Sequence, residues 1–245
     1  MDSKSGKIAI CISGLLRTGI KAHPCFKNFF GDLNADIFYH TWGLDDETHR
    51  TVNDLYKPTS YINQQPFELN SMGSFGNMFY SIMMANELKK KHEIKNNFRY
   101  DLVIKTRFDL VFPEFNKFSN SKIDPRTIYS SGGDNGINHT DYEHHGIADL
   151  IFWGDSESMD IATNTFMYYK HKALPNNQLL ISGVKFDPES SFYSPGNMIY
   201  NRCIMQNIHV VKFAAWLGEV PWRDDVSDLD PFRDYTLIRE RYQRL

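Results

Sequence analysis

The feature that most constrains this chain is a regular alternation of short apolar runs with helical segments between residues 7 and 106. Lys7–Ser13 reads KIAICIS and stops at Gly14, Ala35–His40 reads ADIFYH, and Arg99–Thr106 reads RYDLVIKT. Thr59–Asn63 is a shorter run of the same kind. Continuous apolar runs of this length, bounded by turn residues, fit strands covered on both faces. Between them lie helical candidates at Pro24–Phe30, at Thr48–Tyr56 (closed by Pro58) and at Ser71–Lys91. In the last of these Phe75, Met78, Phe79, Ile82, Met83 and Leu88 recur at helical spacing, and Lys89–Lys91 suit the negative end of the helix dipole. Strand, helix, strand in this order predicts a mainly parallel sheet, with right-handed crossovers placing helices on its two faces.

The pattern loosens in the second half. Asp109–Gly146 is rich in Asn, Ser, Gly and Asp, with a strand expected at Thr127–Ser131. A further strand is predicted at Asp149–Trp153, a helix at Ser156–Tyr169 and a late strand at Ile208–Phe213. Pro188–Gln206 is expected to hold a helix interrupted near Pro195 and Gly196, and the tail from Trp222 is charged. The expectation is one mixed α/β domain over residues 1–245, regular over about 7–110 and irregular over about 111–245.

A net charge of -3 opposes a protein whose task is neutralising nucleic-acid phosphates. No run approaches the roughly 20 apolar residues needed to cross a bilayer. Met1–Lys7 is polar and lacks the apolar core of a signal peptide. The three cysteines, Cys11, Cys25 and Cys203, form no CxxC pair and are odd in number, which points to reduced thiols and a cytoplasmic setting.

Ligands of open parallel sheets bind beyond the carboxyl ends of the strands, which selects a few loops. The first is Ser13-Gly14-Leu15-Leu16-Arg17. Gly14 permits close backbone approach, and Arg17 offers a planar fork for phosphate or carboxylate. The loop matches neither GxGxxG nor a Walker sequence, and a plain turn with a solvated arginine is the alternative. The second is Lys105-Thr106-Arg107-Phe108-Asp109. If the extended chain continues, alternation puts Lys105, Arg107 and Asp109 on one side. Charges emerging from an apolar run are paired or functional, so the alternatives are a ligand site and an internal ion pair between Arg107 and Asp109. A carboxylate here is also a candidate ligand for a divalent ion. His139–His145 (HTDYEHH) has zinc-ligand residue types without a zinc spacing and reads as a polar loop. His40 and Trp42 are either stacking surfaces or structural aromatics.

Three segments taken in order resemble GT-A-type, nucleotide-sugar-dependent glycosyltransferases of the small kind found in bacterial and viral surface-glycan gene sets. KIAICISGLLRTG followed by DIFYHTW is similar to their first two strands. RYDLVIKTRFDLVF is similar to their central strand, and ADLIFWGDSESMD with the later DPES to their second-half elements. The resemblance implies a GT-A-like, Rossmann-type fold, with a nucleotide-binding half over about 7–110 and an acceptor-side half with the tail over about 111–245. It implies transfer of a sugar from a nucleoside-diphosphate donor to a hydroxyl of a glycan acceptor. Ser13, Gly14, Arg17, Lys105, Arg107 and Asp109 would bind the donor, and an inverting transfer would take its general base from Asp149, Asp155 or Glu189, Asp149 and Glu189 foremost; for Glu189, following Pro188, helix N-terminal stabilisation is an equal alternative. It further implies Mn²⁺ or Mg²⁺ held by Asp109, the counterpart of the second Asp in the family's DxD signature. Arg107 stands where that signature has its first Asp. The alternatives are a non-catalytic nucleotide- or glycan-binding module and a nucleotidyltransferase.

Overall fold

A computed structural model describes residues 6–67, 73–112, 123–131, 147, 149–170, 179–181, 184–186, 195–213 and 218–219. The first half alternates as the apolar runs predict. β1 (Ile8–Ser13), α1 (Gly19–Phe30), β2 (Asp36–Trp42), α2 (Asp46–Tyr56), β3 (Ser60–Gln64), α3 (Gly73–Asn96) and β4 (Leu102–Thr106) follow one another. β1 and β4 are buried along their whole length, which is why their sequences show no polar alternation. α1 begins five residues before Pro24 and contains it, so the proline neither starts nor ends the helix.

After β4 come β5 (Leu110–Val111), β6 (Thr127–Ser131), β7 (Phe152–Gly154), α4 (Ser156–Thr163) and α5 (Thr165–Tyr169). β8 (Leu179–Ile181), β9 (Val184–Phe186), α6 (Pro195–Ile204), β10 (His209–Phe213) and β11 (Gly218–Glu219) complete the described elements. The helix expected over Pro188–Gln206 therefore starts at Pro195 among the described residues, a position where the missing N–H of proline costs nothing.

Seven strands form one sheet in the order β10-β6-β7-β4-β1-β2-β3, which draws on both halves of the chain. β7 alone is antiparallel, to β4 on one side and β6 on the other; the other neighbouring pairs are parallel. Alternate residues of each strand feed two cores. Ala9, Cys11, Phe38, Val103 and Phe152 pack with α3, α4 and α6, whereas Ile8, Ile10, Tyr39, Leu102 and Ile104 pack on the side of α1 and α2. From β1 the chain moves through β2 to β3 on one side, then crosses back to place β4 on the other. The carboxyl ends of β1 and β4 thus flank the point where strand order reverses, the place where open α/β sheets leave a crevice.

α3 is the longest of the described helices, with Phe79, Ile82, Ala85 and Leu88 buried against the sheet. Its buried stripe continues into charge. Lys89 is fully buried and Glu93 nearly so. The Lys89 ammonium donates to Ser156 Oγ at 2.6 Å and Asp160 Oδ1 at 2.8 Å, and lies 3.1 Å from Glu93 Oε2. Arg99 closes the cluster on Asp160 at 3.0 Å. Lys89 is therefore a tie between α3 and α4 and not a charge at the helix end, since α3 runs on to Asn96.

Candidate functional site

The β1–α1 loop reaches its position through glycine. Gly14 has φ +113, a conformation that side-chain-bearing residues rarely adopt. Its N–H donates to Ser81 Oγ at 2.8 Å and faces the His40 carbonyl at 3.2 Å, so it is engaged by the protein itself. A Cβ at Gly14 would meet open space. Ser13 is buried and paired opposite His40 in the β1–β2 ladder. Gly19, the first residue of α1, is packed so closely that a Cβ would fall 2.7 Å from Leu16 Cδ1 and 2.8 Å from Phe108 Cβ. The Tyr56 hydroxyl donates to the Gly19 carbonyl at 2.9 Å. The close approach of Gly19 to Phe108 sets the β1–α1 loop against the turn after β4.

Arg17 and Asp109, 92 residues apart in sequence, consequently meet: Arg17 Nη1 donates to Asp109 Oδ2 at 2.8 Å. Arg107 takes the same carboxylate by its fork, with Nε 2.9 Å from Oδ1 and Nη2 2.7 Å from Oδ2. The Arg17 side chain is 31% exposed, against 14% for Arg107 and 9% for Asp109, so the pair of guanidiniums opens to solvent on the Arg17 side. Arg17 has φ 45, a left-handed backbone that costs a non-glycine residue of the order of 1 kcal/mol and is found at sites that need a side chain aimed. α1 begins two residues later, with no side-chain cap and no acid in its own first turn.

The loops predicted to converge do so, but not by strand alternation. β4 ends at Thr106 and the chain turns at Phe108 and Asp109, Phe108 going into the core beside Tyr39 and Tyr56. The turn, not the pleat, folds Arg107 back onto Asp109. Lys105 is still within the strand and is buried on the α3–α4 side, its ammonium 5.6 Å from the Phe152 ring centre.

Asp149 arrives by topology. Phe152 pairs opposite Lys105 and Gly154 opposite Val103, so the residues leading into antiparallel β7 fall at the carboxyl end of β4. Asp149 lies in a bend three residues before β7, outside the strand expected to begin there, and its Oδ2 is 3.9 Å from Arg107 Nη1. Asp155, past the other end of β7, lies away from this edge. It caps α4 by accepting from Ser158 N at 2.9 Å, and it accepts from Arg126 N at 2.9 Å. Asp155 is thus the N-cap of α4, its carboxylate engaged structurally away from the Arg107 edge, and is removed as a candidate base. Glu189, the His139–His145 segment, the DPES segment and the charged tail lie outside the described residues.

The electrostatics follow from burial and pairing. Burial alone would raise the Asp109 pKa, but the hydrogen bonds and charges of Arg107 and Arg17 together hold its carboxyl below the ordinary range. Burial pushes the Lys105 ammonium down to about 7; Asp149 and Asp109 oppose the fall and Arg107 adds to it. Burial likewise lowers His40 to about 4. With Nδ1 2.9 Å from Ser81 Oγ and its ring edge-on to Trp42 and Tyr80, His40 is a packed structural group, and Trp42 is only 7% exposed.

A divalent ion does not fit Asp109 in this arrangement. Both carboxylate oxygens already accept from guanidinium groups at 2.7 to 2.9 Å. Among the described residues no cluster of three or more His, Cys, Asp or Glu side chains is arranged to hold a metal. Among the described residues no helix is long and apolar enough to cross a membrane. No protein-family model matches the chain, and no curated protein is significantly similar to it.

The residues that sequence reasoning missed are Ser81 and the Lys89 cluster. The signal for the latter is present: the buried stripe Ile82, Ala85 leads at helical spacing to Lys89 and Glu93, two charges set four apart on an apolar face.

Proposed function

We propose that the chain is a GT-A-type glycosyltransferase that transfers a sugar from a nucleoside-diphosphate donor to a hydroxyl of a glycan acceptor. The observation that carries this reading is the meeting of Arg17, Arg107, Asp109 and Asp149, from three separate segments, at the carboxyl edge where strand order reverses. Departure of the donor's diphosphate leaves negative charge, and Arg17, Arg107 and Lys105 are the cations positioned to receive it. Ser13 and Gly14 shape the floor of the donor loop. Asp149 is the group proposed to take the proton from the acceptor hydroxyl, oriented by Arg107. Glu189 is retained as a proposed participant from the acceptor half on the resemblance alone. Three buried, unbridged cysteines agree with a reducing compartment, and we place the reaction in the cytoplasm.

The test is binding followed by turnover. Thermal shift and calorimetry with UDP, GDP and CMP, each with and without Mn²⁺, should give stabilisation by at least one nucleotide. Loss of sugar from the matching nucleotide sugar, to water or to a glycan, should follow. Stabilisation by none of the nucleotides would refute the donor site.

A second reading, a non-catalytic nucleotide- or glycan-binding module, is favoured by one observation: the Asp109 carboxylate accepts three hydrogen bonds from two arginines. Binding without any donor hydrolysis or transfer would select it. Release of pyrophosphate from a nucleoside triphosphate would instead identify a nucleotidyltransferase.

A further inference from the structure

We propose that Asp109 acts as an internal stand-in for the ligand's phosphates, holding the guanidiniums of Arg17 and Arg107 together until a diphosphate replaces it on them, with no divalent ion required. The proposal rests on the nucleotide-sugar reading and concerns how that site takes its charge.

The geometry is the first ground. A guanidinium fork recognises carboxylate and phosphate by the same paired N–H donors, and the Arg107–Asp109 contact is such a fork, at 2.9 and 2.7 Å. Arg17 adds a third bond to the oxygen that Arg107 Nη2 also uses. Two guanidiniums sharing one carboxylate are held at the spacing a bridging anion needs. A diphosphate presents more charge and more acceptor oxygens than the single carboxylate it would replace, so exchange is favoured once the ligand arrives. The exposed side of Arg17 gives it an approach from solvent.

Groups behind the arginines supply the second ground. Lys105 is only 1% exposed, and its ammonium lies 5.6 Å from the Phe152 ring centre. The next residue, Thr106, buries a hydroxyl with no partner among the described residues. A buried hydroxyl left unpaired is costly, and at a strand end it marks a place that a polar ligand would satisfy. The charged groups acting on Lys105 are Asp149, Arg107 and Asp109. Once Asp109 is replaced by a diphosphate, that balance becomes more negative and holds Lys105 protonated.

The charge count is the third ground. A divalent cation at Asp109 would have to displace two guanidiniums from the oxygens it needs and then remain beside them, with like-charge repulsion. An anion meets no such conflict.

The experiment is calorimetry on the full chain with inorganic pyrophosphate and with UDP, in EDTA and in Mn²⁺, for wild type and Asp109→Asn. The expected result is wild-type binding in EDTA, and binding on the order of tenfold tighter in Asp109→Asn, because the competing charge is gone. Binding that requires Mn²⁺ and vanishes in Asp109→Asn would make Asp109 a metal ligand. That would overturn this proposal while leaving the nucleotide-sugar reading intact. Absence of binding by either compound in both conditions would overturn both. If Asp109→Asn does not fold, the wild-type comparison between EDTA and Mn²⁺ decides alone.

Discussion

Replacing Arg107 with alanine should cost much more stability than replacing Arg17, and the difference should depend on pH. Arg107 is 14% exposed, makes two charged hydrogen bonds to Asp109 and faces Asp149 at 3.9 Å. Breaking a buried pair typically costs about 3–5 kcal/mol, because one charge is left without its partner. Arg17 remains on Asp109 in the variant, which places the expected loss at the lower end, about 3 kcal/mol. For a chain of this size that is a fall in Tm of about 6–12 °C. Arg17 is 31% exposed and gives Asp109 one bond, and Arg107 keeps the carboxylate paired when it is removed. Arg17→Ala should therefore cost about 1 kcal/mol, or roughly 2–4 °C. The sign of the pH effect follows from the lowered pKa of Asp109. A carboxylate with a depressed folded pKa contributes stability above its unfolded value, about 3.9, and loses it as pH falls through the folded value. The deficit of Arg107→Ala should accordingly be full at pH 7 and shrink below about pH 4. Thermal and urea unfolding of wild type and both variants at pH 7 and pH 3 measure this. Equal losses for the two variants, or a deficit for Arg107→Ala unchanged at pH 3, would refute the reasoning.

Three further outcomes are expected. Gly19→Ala forces Leu16 and Phe108 apart, since the Cβ would lie 2.7 and 2.8 Å from them; it should cost about 1–3 kcal/mol and weaken pyrophosphate binding by moving Arg17, both read by unfolding and calorimetry. Asp149→Asn should lower sugar transfer at least 100-fold with Tm little changed, whereas Asp155→Ala should lower stability by about 1 kcal/mol through loss of the α4 cap and leave the chemistry intact. Lys105, whose pKa is depressed to about 7, binds fewer protons folded than unfolded above that pH, so wild-type stability should rise from pH 7 toward pH 9 by up to about 1.4 kcal/mol per unit relative to Lys105→Met. Parallel pH profiles for the two proteins would contradict that.

The strands of the first half are legible because burial on both faces makes them continuous apolar runs, as at Ile8–Ser13 and Leu102–Thr106. The loops carrying Arg17 and Asp109 are legible for the same reason, as the segments that follow the carboxyl ends of two parallel strands. What brings the two together is not legible. It depends on a turn at Phe108 and on the absence of a Cβ at Gly19, both tertiary contacts. The sense of β7 is equally hidden, because the chain from Asp109 to Gly146 offers no periodicity to fix its direction. Asp149 and Asp155 look alike in sequence. Only the antiparallel pairing of β7 with β4 sends Asp149 to the edge with Arg107 and Asp155 to the start of α4. The Lys89–Glu93 pair is hidden in a run of lysines that resembles a helix end, whereas the apolar stripe carries it into the core.

The most direct measurement is a crystal structure of the chain grown with UDP and, separately, GDP, in the presence and absence of Mn²⁺. The account predicts diphosphate oxygens within hydrogen-bonding distance of Arg17 and Arg107, with Lys105 facing them and Asp109 released from at least one guanidinium. A nucleotide bound elsewhere, with the Arg17–Asp109–Arg107 contacts unbroken, would contradict it.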